Sequence, residues 1–149
     1  MGKINSYKDL EVWNMSMDLA KVIHILLKNF PKEELYALNS QIRRSAISVP
    51  SNIAEGFGRD SLNDYCHFLQ IARGSLFELE TQIQLAASFQ YISDTDKNSV
   101  SEQCQIIGRK LNNLISKLKD SAKNKSNQNE TPNTQHLTPK TKRYENFHY

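Results

Sequence analysis

The longest periodic segment of the chain is residues 61–91, SLNDYCHFLQIARGSLFELETQIQLAASFQY. Its apolar side chains recur at alternating spacings of three and four residues, the pattern of a helix packed in a bundle. Ser61 suits an N-cap, and Asp64 follows three residues later as an acidic variant of the capping box. The segment predicts a helix about 45 Å long. Its expected buried line is Leu62, Tyr65, Leu69, Ala72, Leu76, Leu79, Ile83 and Ala86.

Three further segments carry the same spacing, at about residues 7–29, 38–57 and, after a cap at Ser93 or Asp94, up to residue 120. Pro50 lies inside the second of them. An interior proline costs about 3 kcal/mol, so this helix either kinks or breaks, and we expect a kink. No segment has the alternation of a strand. Residues 1–120 therefore predict an all-α, up-down-up-down antiparallel four-helix bundle.

The remaining residues, 121–149, form a polar, weakly basic tail that is predicted to be disordered. Residues 1–120 hold 14 basic and 14 acidic side chains, whereas the tail holds 5 and 2. The bundle is therefore not a strongly basic nucleic-acid domain. Residues 140–144 (KTKRY), near the end of the tail, form a basic and aromatic cluster, which is either simply solvated or contacts RNA or an acidic partner.

The sequence excludes several classes of function. Cys66 and Cys104 lie within apolar helical patterns rather than at ligand spacings, and the first residues show no apolar leader, so we expect a reduced, cytoplasmic protein. No apolar run is long enough to span a membrane. We find no nucleophile with a base, no metal-ligand set and no phosphate loop, so we expect no enzymatic activity, metal or cofactor.

The second helix has more apolar surface than one bundle position requires. One stripe consists of Leu38, Ile42, Ser45, Val49 and Ile53. A second, about a third of a turn away, consists of Ile47, Pro50, Ala54 and Phe57. Packing within one bundle needs only the first stripe. We therefore predict that the second stripe is an interface with another copy of the chain.

Charged residues near the apolar stripes suggest two roles. We expect Glu55, Arg73 and Glu80 to form structural ion pairs, between helices or between subunits, because charges at such borders are seldom unpaired. Three arginines are candidates for contacting nucleic-acid phosphates: Arg43, Arg44 and Arg59. Consecutive helical residues point about 100° apart, so at least one of the first two should be exposed.

Four motifs in order give the chain a resemblance to a known family: residues 9–13 (DLEVW), 30–34 (FPKEE), 41–59 (QIRRSAISVPSNIAEGFGR) and 68–80 (FLQIARGSLFELE). Over about residues 7–120 the chain resembles the bacterial 23S ribosomal RNA intervening-sequence proteins. The resemblance implies a small bundle that assembles into a five-membered ring without enzymatic activity. It is also similar to the accessory variability determinant of diversity-generating retroelements, which binds nucleic acid and a reverse transcriptase. This similarity implies nucleic-acid contacts at Arg43, Arg44 and Arg59, and a partner protein such as a reverse transcriptase.

The sequence therefore predicts a non-enzymatic homo-oligomer, a pentamer, that serves as an accessory factor for RNA or DNA through arginines repeated by symmetry. The alternative is a protein-interaction scaffold that does not bind RNA.

Overall fold

The computed structural model describes residues 2–129 and contains four long helices. They are α1 (Glu11–Leu27), α2 (Leu38–Phe57), α3 (Leu62–Ser88) and α4 (Asp94–Asn129). Two 3-10 turns, at Tyr7–Asp9 and Lys32–Glu34, precede α1 and α2. Within this described part of the chain there is no strand, so the predicted all-α class is confirmed.

Cross-helix contacts show that sequential helices run in opposite directions. The Arg73 guanidinium donates to Asn112 Oδ1 over 2.7 Å, and Gln84 Nε2 donates to Ser101 Oγ over 3.1 Å. Residue numbers therefore rise along α3 as they fall along α4. Helix α1 meets α4 through the Lys110–Glu11 ion pair, which closes the four-helix arrangement. The fold is the predicted antiparallel bundle.

The ends of α3 follow from local hydrogen bonds. Ser61 is the N-cap, and its Oγ accepts the Asp64 amide over 3.0 Å. At the other end, Gln90 has a φ of 64°, and the Tyr91 amide reaches back to the Ala86 carbonyl over 2.9 Å. This left-handed closure satisfies the last carbonyls of the helix. Helix α3 therefore ends at Ser88, slightly earlier than its apolar pattern predicts.

Helix α2 runs without a break from Leu38 to Phe57, as predicted. Pro50 lies inside it and is buried, so packing holds the helix together despite the missing amide donor. The helix is therefore not broken at Val49, and the kink stays a prediction.

The core lies along the apolar lines that the sequence predicts. On α3 every predicted position from Leu69 to Ala86 is fully buried, whereas Leu62 and Tyr65, near the helix start, are half-buried. On α2 the buried stripe contains Ile42, Val49 and Ile53. These residues face one another at the centre of the bundle.

Helix α4 continues past the predicted end of the bundle at residue 120. Residues 121–129 are helical, whereas their composition suggested a disordered tail. This stretch has no glycine or proline, and Ser121 and Ser126 Oγ donate to carbonyls one turn back. The rest of the predicted tail, including the cluster at residues 140–144, lies outside the described residues.

A glycine marks the closest approach of α2 to α3. A Cβ added at Gly56 would lie 2.9 Å from Phe68 Cβ and 3.2 Å from the Tyr65 carbonyl oxygen. At Gly108 of α4 an added Cβ would meet only Leu76 Cδ2, at an ordinary 3.6 Å. Both glycines are helical, but only Gly56 lacks space for a Cβ, so Gly108 serves as its matched control.

We expect Gly56→Ala to lower the free energy of unfolding by about 1–2 kcal/mol, because overpacking outweighs the gain in helix propensity. Gly108→Ala should raise it by up to about 1 kcal/mol. Urea unfolding followed by circular dichroism measures both changes. A stabilised Gly56→Ala variant would show that the two helices are not in tight contact there.

Candidate interaction surface

An open apolar groove lies on the outer surface of the bundle between α1 and α2. Its volume is about 350 Å³. Trp13, Met17 and Ala20 line it from α1. From α2 it is lined by Ile47, Pro50, Ser51 and Ala54, and Tyr7 closes one end. We call these residues the α1/α2 groove.

Helical geometry explains why α1 contributes to this groove. Val12, Leu19 and Ile23 enter the core, and the adjacent line containing Trp13 and Met17 is only partly covered. The Tyr7 and Trp13 rings pack edge to face with centroids 5.2 Å apart, which fixes the indole at the rim. The second apolar lines of α1 and α2 therefore meet on one surface.

The predicted interface residues of α2 divide into three environments. Ile47 is 54% exposed, and Ala54 is half-buried in the groove wall. Pro50 lines the groove but is already buried within a single protomer. Phe57 is half-buried and lies 6.1 Å from the Tyr65 ring, outside the groove. The available part of the second stripe is thus centred on Ile47 and Ala54.

A second apolar surface, which the sequence analysis did not identify, lies on the outward face of α3. Phe77 is 53% exposed and Leu85 is 45% exposed, and Ile71 lies on the same side of the helix. A Cβ added at Gly74 would meet nothing within 4 Å, so the backbone there is open to a neighbour. We call Ile71, Gly74, Phe77 and Leu85 the α3 ridge. In the sequence, the sign of this ridge is that its residues lie opposite the core line of α3.

The consecutive arginines of α2 have different surroundings. The Arg43 guanidinium is half-buried and donates to His24 Nδ1 of α1 over 3.0 Å. Arg44 is exposed and, among the described residues, has neither an ion pair nor a hydrogen bond. The expectation that at least one of the two is exposed is confirmed. Arg44 is therefore the free cation beside the groove, one turn before Ile47.

The third candidate arginine is separated from the other two and partly neutralised. Arg59 bonds to Glu55 of its own helix end, and its guanidinium carbon lies 4.5 Å from the Phe68 ring centroid. At 1.5 Å per residue, the end of α2 at Phe57 is about 20 Å from Arg43 and Arg44, and Arg59 lies two residues beyond that end. The structure therefore does not bring the three arginines into one patch within a protomer.

Within residues 2–129, none of the three predicted positions forms an ion pair between helices. Glu55 pairs with Arg59, locally and not between helices. Arg73 bonds instead to the neutral Asn112 of α4. Glu80 has no ion pair within residues 2–129, which leaves the intersubunit alternative as a prediction. Glu78 on the outer side of α3 accepts only from Gln82, over 3.3 Å.

The titratable side chains of the described residues were compared with the requirements of a metal site and of a reactive thiol. No group of three or more His, Cys, Asp or Glu residues there can hold a metal ion. Both cysteines are buried and free. Burial, assisted by the nearby Glu80 carboxylate, raises the pKa of the Cys104 thiol to about 12. None of the helices within residues 2–129 is long and apolar enough to cross a bilayer.

We expect the two thiols of the folded protein to resist alkylation by iodoacetamide at about pH 8, since only a thiolate reacts and Cys104 stays protonated there. Unfolding in urea should expose both to complete reaction. Mass spectrometry of the intact chain counts the adducts. Rapid modification of Cys104 without denaturant would contradict its burial in α4.

Comparisons with known proteins match this fold and its sequence motifs. The family described as 23S rRNA-intervening sequence protein matches residues 8–113. A crystal structure of a protein with unknown function, from the S23 ribosomal protein family of Bacteroides thetaiotaomicron, is similar to this chain with 27% identity and a TM-score of 0.66. The similarity covers 70% of this chain and 97% of that one. No curated protein matches the chain significantly.

Proposed function

The chain belongs to the family of 23S rRNA-intervening sequence proteins, and from this premise we propose that it acts in the cytoplasm as a non-enzymatic homo-oligomer, a ring of five protomers, that binds RNA as an accessory factor. The number five comes from the resemblance described above. The observation that carries the proposal is the pair of apolar surfaces on one protomer, the α1/α2 groove and the α3 ridge.

A closed ring needs two different surfaces on each protomer, because its interface is heterologous. The groove is concave and lies between α1 and α2, whereas the ridge is formed by α3, on another side of the bundle. Exposed Phe77 and Leu85 offer side chains that suit an apolar groove, and Gly74 allows close approach. In the proposed ring, the ridge of one protomer packs into the groove of the next.

Charge at the two surfaces is complementary. Arg44, one turn before Ile47, has no partner within the described protomer. Glu78 adjoins Phe77 on the ridge and has no ion pair of its own among the described residues. Since Arg44 does not line the groove itself, packing ridge into groove would place these opposite charges at the rim of the interface, where Arg44 stays accessible to solvent. Such pairs mainly set orientation and specificity.

RNA binding would use the ring's multiplicity. Of the three candidate arginines, only Arg44 is unpaired within the described residues, and Arg43 is held near it by His24. Symmetry repeats the pair around the ring, so weak contacts act together. Arg59 contributes less in this proposal, since Glu55 already neutralises it.

The test is titration of a labelled, mixed-sequence single-stranded RNA with the full chain at rising salt. Phosphate contacts predict affinity that falls steeply as salt increases from about 50 mM to about 200 mM. An Arg43→Ala, Arg44→Ala double variant should bind more weakly and show a shallower salt dependence. No binding at about 50 mM salt would contradict the RNA role. The scaffold that ignores RNA would then be the better reading, because the bundle carries equal numbers of positive and negative side chains.

A further inference from the structure

The net positive charge of this chain comes from its C-terminal end. Residues 1–116 contain 12 basic and 13 acidic side chains, a formal charge of −1. Residues 117–149 contain the other seven basic and three acidic side chains, so they carry +4 and account for the net +3 of the whole. A long-range attraction for anions therefore originates beyond residue 116, outside the bundle core.

The first part of this basic segment is a helix that projects from the bundle. Cys66 Sγ lies 3.9 Å from the Ile115 carbonyl oxygen, so residue 115 is level with the first turns of α3. Because α3 begins at Leu62 and α4 runs in the opposite direction, this contact and the two α3–α4 hydrogen bonds given above place the start of α3 beside residues 119–123 of α4. Helix α4 continues to Asn129, about 9–15 Å farther at 1.5 Å per residue. Residues 117–129 are called the α4 extension below.

The burial pattern agrees with this register. Ile115 is the last buried residue of α4, and Leu118 is half-buried. From residue 119 to residue 128 every side chain is exposed except that of Ala122, which is half-buried. Bundle packing therefore explains the helix up to Leu118 and explains none of the charged side chains after it.

The α4 extension carries four lysines against one acidic residue: Lys117, Lys119, Lys123, Lys125 and Asp120. None of the four lysines forms an ion pair within the described chain. Lys119 and Lys123 are separated by four residues, so their like charges destabilise the helix slightly. An anion bound along the extension would relieve that repulsion.

The side chains between the lysines indicate the kind of anion. They are small or polar, including Asn124, Ser126 and Asn127, and no aromatic or large apolar residue follows Leu118 within the extension. A protein partner is anchored by buried aromatic or aliphatic groups, and stable anchoring at a membrane surface needs an apolar helix face or a lipid chain in addition to basic charge. A phosphate backbone requires only spaced cations and hydrogen-bond donors.

We propose that the α4 extension is the main RNA-contacting element of this protein, through lysine contacts with backbone phosphates that do not depend on base sequence. The inference rests on the proposed RNA-binding function and relocates its principal contact from the arginines of α2 to the lysines of α4. The family match ends at residue 113, so this element is a feature of this chain beyond the matched region. A ring would place all its α4 extensions at one end, because rotation about an axis preserves direction along it.

The experiment compares two full-length variants that lose equal charge. In the first, Lys117, Lys119, Lys123 and Lys125 are all changed to Gln. The control changes four exposed lysines of the bundle to Gln: Lys8, Lys21, Lys28 and Lys32. Glutamine has a helix propensity close to that of lysine, and circular dichroism checks that helicity is retained. The probe is the same labelled single-stranded RNA.

We expect the extension variant to bind about tenfold or more weakly near 100 mM salt, with a log–log salt slope reduced by about 3 if all four lysines contact phosphates. The control variant should change by less than about twofold. Equal weakening of both variants, or an unchanged extension variant, would overturn the inference. If only the Arg43→Ala, Arg44→Ala variant lost affinity, the result would support the RNA-binding function and contradict the α4 extension as its main contact. Absence of RNA binding by the parental chain, or binding to anionic vesicles in place of RNA, would contradict both the function and the site.

Discussion

Ile47→Glu is expected to convert the proposed ring into folded monomers. Ile47 is 54% exposed in a single protomer, so a carboxylate there is hydrated and leaves the bundle intact. In the ring the same carboxylate would be buried in the α1/α2 groove beneath the ridge of a neighbour. An unpaired charge buried in this way costs about 3–5 kcal/mol at every interface. Light scattering should therefore report the protomer mass, with helicity by circular dichroism unchanged.

A matched control separates this effect from a general loss of hydrophobic surface. Ile25 of α1 is 60% exposed and lies outside the groove. Ile25→Glu introduces the same charge on the same bundle and should keep the ring mass. Dissociation by both variants, or by neither, would place the interface on another surface.

Mixing two monomeric variants should produce a dimer and no larger species. Phe77→Glu should dissociate the ring by spoiling the α3 ridge, while its groove stays intact. The Ile47→Glu variant has the opposite defect, an intact ridge beside a spoiled groove. In a heterologous assembly, one functional groove then meets one functional ridge, and the pair cannot grow because its remaining surfaces are both defective.

The expected effect is a shift from one protomer mass in each separate sample to twice that mass in the equimolar mixture. Mass photometry or sedimentation velocity measures this shift. If the variants stayed monomeric when mixed, ridge and groove would not be partners. If Phe77→Glu alone retained the full ring, the α3 ridge would not belong to the interface at all.

The helices were predictable because their burial is one-sided. On α3, Leu69, Leu76, Leu79 and Ile83 are all fully buried, and their spacing alone reports the inner face of a helix. The start of α3 was predictable for a similar reason, because the Ser61 N-cap oxygen accepts a hydrogen bond from an amide only three residues later. The end of α3 was less predictable, since its apolar spacing continues into residues 89–91 while the backbone turns at Gln90.

The interaction surfaces were only partly predictable, because they depend on which helices become neighbours. The excess apolar surface around Ile47 and Ala54 was visible in α2 alone, but its meeting with Trp13 and Met17 requires the α1–α2 packing. A helical wheel of α3 places Phe77 and Leu85 opposite the core line, but it does not show that these exposed side chains form a surface for a neighbour.

The contacts of the charged side chains were even less predictable from the sequence. Spacing along α2 cannot show that Arg43 reaches His24 or that Arg59 is held by Glu55 and Phe68. Composition also predicted disorder for residues 121–129, which are helical, because a polar, lysine-rich stretch can extend a helix that packing has already nucleated.

The most direct test is the mass of the full-length chain in solution, measured by sedimentation velocity over a wide range of protein concentrations. The account predicts a ring with a mass near five times the 17.1 kDa of one chain. A well-folded species of 17.1 kDa at every concentration would contradict it, since the α1/α2 groove would then have no partner copy.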